Sequence, residues 1–257
     1  MEPYYQIDFS AAHCQFEVRA NDIPVLHFEV VGQVGTMAPI NMGIFKSGKQ
    51  ALSIKILPIN EEQLVNKNAE FKYDIKLFDV SNNDFSFKQQ LGGYQFPPVD
   101  TSKPHLELNY ETTFMAEVPY VITDHDNTTP LIHNPNIRPM LMAAYHQVGS
   151  VIDSGDYERF RQMMAKRESI MATTMYLSKR ESDARINDLI NDFKEGFKYE
   201  AIGPDAKVHF YNNGKIAALK KPNGESALVL LNKKTSEELT IELSFYLPPG
   251  KIELEVI

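Results

Sequence analysis

The chain of 257 residues is long enough for one large domain or two ordinary ones, with 43% hydrophobic and 23% charged residues and 15 Phe and 12 Tyr to build cores. Its net charge of −8 is uneven: residues 1–128 carry 9 Lys and Arg against 17 Asp and Glu, and residues 129–257 carry 17 of each. Neither half offers a net basic field, which argues against nucleic acid and anionic membranes as partners, while a basic protein partner suits the first half.

The N-terminal stretch "MEPYYQIDFSAAHCQFEV" has no basic region followed by an apolar run. No signal peptide is therefore expected, and the cytoplasm is the default compartment. No run of about 18 apolar residues predicts a membrane helix. Cys14 is the sole cysteine, which excludes an internal disulfide and a thiolate metal cluster. Its place in "HCQFEV" predicts a buried apolar side chain on a strand.

The first half reads as strands. Phe16 and Val18 alternate with polar neighbours, a turn follows at Ala20-Asn21-Asp22, and Leu26, Phe28 and Val30 alternate again, which predicts a hairpin with one buried face. Leu52, Ile54 and Ile56 share a face before Pro58, and Phe71, Tyr73, Ile75 and Leu77 lie inside the run "AEFKYDIKLFDV". "LGGYQFPP" at 91–98 reads as an exposed turn, with Tyr94 and Phe96 as candidate binding residues or as side chains folded back onto the core. "HLELNYETTFMAEVPY" supplies a further strand. The pattern predicts an antiparallel β-sandwich over residues 1–123.

The segment "ITDHDNTTPLIHNP" gathers the only candidate metal ligands, Asp124, His125, Asp126 and His133. As a calcium loop it fails, because Thr129 and Pro135 stand where Gly and a bidentate Glu are needed. As a zinc site it lacks any spacing that would fix a tetrahedron. Prolines 130, 135 and 139 punctuate the place where the strand period gives way to a helical one, so residues 124–136 are expected to be a linker, with no metal and no cofactor.

The second half, 137–257, changes period. Leu141, Ala144, Tyr145, Val148 and Ile152 form one stripe that stops at Gly155. Phe160, Met163, Met164, Ile170, Met171 and Met175 form a second. "SKRE" at 178–181 is a capping box opening a third helix, with Ile186, Leu189, Ile190, Phe193 and Phe197 on its stripe. About five antiparallel strands follow, the first pair joined by Asn213-Gly214. The fold class is therefore α+β: a β-sandwich, then three helices with an antiparallel sheet.

The run "FEVRANDIPV…APINMGIFKSGKQALSIKILP", residues 16–58, resembles the hairpin of galactose-binding-like jelly rolls, on Asn21, Gly48 and the strand from Ala51 to Leu57. That resemblance implies a carbohydrate-binding accessory protein. The element order of the second half is similar to an NTF2-like cone, which implies a pocket between helices and sheet where Tyr199, His209 and Tyr211 could gather.

No phosphate loop, dinucleotide fingerprint, nucleophile elbow or His-Glu-x-x-His occurs. The leading expectation is a non-catalytic, two-domain protein that binds another macromolecule, a protein partner that is basic in one concrete version, an acidic, toxin-neutralising immunity protein. The rivals are a carbohydrate-binding protein and an enzyme working from the C-terminal pocket.

Overall fold

A computed structural model describes residues 1–59, 62–81, 84–123 and 128–257. By internal contacts the chain divides into two compact units, Met1–Ile122 and Thr123–Ile257. The α+β class holds: antiparallel strands, then three helices, then small antiparallel sheets.

The first unit is built around β1 (Pro3–Ala20), which pairs along most of its length with β2 (Ile23–Pro39). The turn between them needs positive φ at both central residues, and Asn21 and Asp22 supply it at 50° and 61°. Asn21 also fastens the turn: its Nδ2 donates to Gly43 O at 2.7 Å, and its Oδ1 accepts from Ala51 N at 3.0 Å.

The other edge of β1 is divided. Residues 15–20 pair with β3 (Gly48–Leu57), and residues 3–12 pair with β4 (Glu70–Asp79). β4 passes on to β5 (Ser86–Gln95), and β3 to β6 (Leu108–Ala116). The division falls at His13, where φ is +48° and the register with β2 slips: Ala12 opposes Gln33, Cys14 opposes Val30, and Val31 and Gly32 face His13 alone. A bulge of this kind bends both strands.

The bend folds the six-stranded sheet into a half-barrel whose two arms face each other as sandwich layers would. Phe9, Phe16 and Phe71 fill the angle, with Phe16 and Phe71 centroids 4.7 Å apart. At the open end, Tyr94 of β5 lies flat on Tyr110 of β6, with centroids 3.6 Å apart and planes 8° from parallel. "LGGYQFPP" is thus not an exposed turn but the end of β5 and its exit. Two adjacent glycines hid the strand period, and the bulge between Ile75 and Lys76 in the β4–β5 register shows how the ladder absorbs them.

In the second unit, α1 (Ile137–Ser154) ends at Gly155 in the left-handed region, φ 75°. α2 (Tyr157–Thr174) opens on the Asp156 side chain, which accepts from Arg159 N. α3 (Lys179–Lys194) opens on the capping box of Ser178 and Glu181. Phe197, placed on the α3 stripe by sequence, instead begins β7 (Phe197–Tyr199), because the chain leaves the helix at Gly196 with φ 110°.

β7 joins β10 (Val229–Asn232) and β11 (Glu237–Thr240) in one sheet. β8 (Lys207–Tyr211), β9 (Ile216–Lys220), β12 (Phe245–Tyr246) and β13 (Glu255–Val256) form the other. Seven strands replace the five expected, because the sequence run "ELTIELSFYL" breaks into two and the chain after α3 adds β7. Tyr145, Phe160, Phe193, Leu219 and Phe245 lie at the centre of one core shared by helices and sheets. No helix among the described residues is long and apolar enough to cross a membrane.

Candidate functional site

Alternation along β1 sends Ile7, Phe9 and Ala11 into the core and Asp8 and Ser10 out. β4 does the same, with Tyr73 in and Lys72 and Asp74 out. Register aligns these residues into two rows across four strands. One row runs Met37, Asp8, Asp74, Gly93; the next runs Gly35, Ser10, Lys72, Gln95. Together they form the floor of an open groove of about 770 Å³.

The glycines keep the groove open. A Cβ on Gly93 would stand 2.2 Å from Asp74 Oδ1 and 2.6 Å from Tyr73 O. The charges in the floor are ordered: the Lys76 ammonium pairs with Asp8, and Gln90 Nε2 donates to Asp74 Oδ1 at 2.7 Å. Asp8, Asp74, Lys72 and Lys76 cancel in formal charge.

Gln6, two residues before Asp8 on the same face, is only 8% exposed, and its Oε1 receives no hydrogen bond. Beyond it the face ends in aromatics. Tyr4 meets Phe85 edge-on at 5.4 Å, Phe78 meets Phe87 at 5.7 Å, and Phe85 and Phe87 are largely exposed.

The sequence-derived candidates fall as follows. Tyr94 contributes to the groove wall, while its ring turns inward onto Tyr110. Phe96 packs edge-on against Phe71. The inward phenol of Tyr73 is pushed up by burial and by the neighbouring Tyr110 and Tyr94.

Tyr199 belongs to the β11-β10-β7 sheet and lies so close to α1 that a Cβ on Gly149 would stand 2.3 Å from its ring; burial raises its phenol. His209 and Tyr211 alternate with Val208 and Phe210, the pair that packs on the core, and Tyr211 is itself fully buried rather than open to a pocket. Tyr199 therefore sits on a different sheet from the other two.

Asp124, His125 and Asp126 lie outside the described residues. His133 lies in the turn before α1, where Asn134 N donates to Leu131 O at 2.9 Å. Among the described residues, no three His, Cys, Asp or Glu side chains assemble as a metal site would need. The later part of the expected linker is held to the β8–β9 hairpin: Leu131 N and Ile132 N both donate to Gly214 O, at 2.7 and 3.1 Å.

A second cleft, about 400 Å³, opens between α1, α2 and the β12–β13 pair. Sequence reading passed over it. Lys166 donates to the Tyr246 hydroxyl and stands 4.5 Å over its ring. That hydroxyl donates to Glu255 Oε2 at 3.1 Å, and Lys251 pairs with the same carboxylate. The Lys251 bond holds the Glu255 carboxyl below its usual range. None of Tyr199, His209 or Tyr211 lines this cleft.

No protein-family model, curated protein or solved structure matches the chain.

Proposed function

We propose that the protein is a binding protein whose ligand lies in the groove on the outer face of the N-terminal sheet, and that this ligand is a neutral, hydroxyl-rich molecule of the glycan class. The carrying observation is the floor of alternating donors and acceptors over strands β2, β1, β4 and β5, whose carboxylates are both partnered, Asp8 by Lys76 beside the groove and Asp74 by Gln90. A sugar hydroxyl both gives and takes a hydrogen bond, so it suits carboxylates beside ammonium groups, Ser10 and the amide of Gln95. A cation or an anion would gain no net attraction from Asp8, Asp74, Lys72 and Lys76. The exposed rings of Phe85 and Phe87, further along the same face, offer an apolar surface for a sugar face.

The test is a glycan array followed by calorimetry on the best ligand with wild type and Asp74→Ala. The support would be binding weakened about tenfold by the variant, a loss of about 1.4 kcal/mol, and unchanged between about 50 and 500 mM salt. An empty array, or full affinity in Asp74→Ala, would sink the reading.

The excess acidity of residues 1–128 favours a second reading, a basic protein partner, of which a toxin-neutralising immunity role is one form. It predicts a complex that salt dissolves, captured from lysate of the native organism at low ionic strength. No salt-sensitive basic partner would remove it.

A further inference from the structure

We infer that β2 is a docking edge for a second copy of this chain. Among the described residues β2 pairs with β1 and with no other strand, so the outer edge of its run 33–38 has no strand beside it. Edge strands are usually protected by lysine, proline or a bulge. β2 has its bulge at Val31-Gly32, and Pro24, His27 and Glu29 lie before it. After the bulge, Gln33-Val34-Gly35-Thr36-Met37-Ala38 carries no such protection until Pro39. Val31 and Met37 expose 69% and 51% of their surfaces beside this run, and a Cβ on Gly32 would touch nothing within 4 Å.

Charge selects the occupant. Residues 30–45 hold no ionisable side chain, within a half-chain carrying 17 acidic and 9 basic residues. Two first units that met across their charged surfaces would bring net negative charge against net negative charge. Along this strip they meet uncharged against uncharged, and an antiparallel pair of identical strands satisfies a two-fold axis. A basic peptide would find no counter-charge on the edge itself. The ladder is short, six residues or about 20 Å, and below the roughly 1,200 Å² of a standard interface. The dimer is therefore weak, with a dissociation constant on the order of 10–100 μM. Pairing joins the two sheets edge to edge into one, and because Gly35, Thr36 and Met37 also line the groove, the paired edge runs along its rim.

The test is sedimentation velocity on the full chain from about 1 to about 500 μM, for wild type and for the double variant Val31→Lys, Met37→Lys. Both positions are exposed and lie outside the core cluster, so the variant keeps the fold. Hydrogen exchange of residues 33–38 is read at both ends of the concentration range. The expected result is a monomer–dimer equilibrium, weakened at least about tenfold in the variant, with slower exchange of 33–38 in the concentrated sample. A wild type monomeric throughout overturns the inference. So does a dimer that the lysines leave unchanged, or one that leaves the exchange of 33–38 unaltered.

Discussion

Removing one oxygen atom from Tyr145 tests the account of the second core most directly. The ring is fully buried on α1. Its hydroxyl accepts from Leu219 N at 3.1 Å and faces the carbonyls of Leu219 and Leu243 at 3.2 and 3.1 Å. Burial accordingly pushes the phenol up, so it stays a neutral donor. Tyr145→Phe keeps the ring and opens almost no cavity, which isolates the polar contribution.

Leu219 O retains Ala227 N as a donor at 3.0 Å, so the variant leaves chiefly the Leu219 N–H and the Leu243 carbonyl to be counted. One buried donor left unpaired costs about 1–3 kcal/mol, and a carbonyl with a second lone pair costs less. The expected loss is about 2–3 kcal/mol, or a fall in melting temperature on the order of 5–10 °C. Urea unfolding followed by far-ultraviolet circular dichroism reads it. A change under about 0.5 kcal/mol would refute the claim that this hydroxyl ties α1 to the sheet.

Cys14 is fully buried, and burial pushes its thiol up to about 11, so at about pH 8 it is almost wholly protonated. A thiol reagent is expected to label it only as fast as the unit unfolds, and prompt labelling of the native protein would contradict this. Asp79 is held down to about 2, first by the Ser81 hydroxyl and then by the backbone N–H groups of Ser81 and Glu2. Because the folded value lies below the unfolded 3.8, the stabilisation is complete above about pH 5 and is lost as pH falls through the unfolded value towards 2. Ser81→Ala should raise the carboxyl midpoint seen by nuclear magnetic resonance; an unmoved midpoint would show that the hydroxyl does nothing.

What the sequence disclosed follows the periods it carries. β3 and β4 have clean alternation and bury the residues it picks out, Leu52, Ile54 and Ile56 in one and Phe71, Tyr73 and Ile75 in the other. The α1 stripe and the α3 capping box are equally legible, because caps and faces are local. β5 was not legible: Gly92 and Gly93 have no side chains to alternate, and only the pairing with β4 makes them a strand. The first nine residues of β1 hold the alternation that builds the groove, Ile7 and Phe9 in, Asp8 and Ser10 out. Their polar members become a site only beside Lys72, Lys76 and Asp74, some 60 positions away. Register between distant strands is tertiary information, which local patterning does not encode.

Both the core and the groove depend on one strained residue. His13 carries φ +48° in a strand, a conformation that costs an L residue about 1–2 kcal/mol. It persists because Val31 and Gly32 bulge opposite it and the aromatic cluster fills the bend. If the bend is what the strain sustains, the side chain at this position matters only through its Cβ. His13→Gly should then be near neutral, the relieved strain offsetting the roughly 0.5–1 kcal/mol of added chain entropy. His13→Val should lose about 1–2 kcal/mol, since a β-branched residue is least tolerant of positive φ. Equilibrium unfolding of the three proteins decides it. A valine variant as stable as wild type would mean that the bend relaxes without cost, and that the arms are held together by the Tyr94–Tyr110 closure instead.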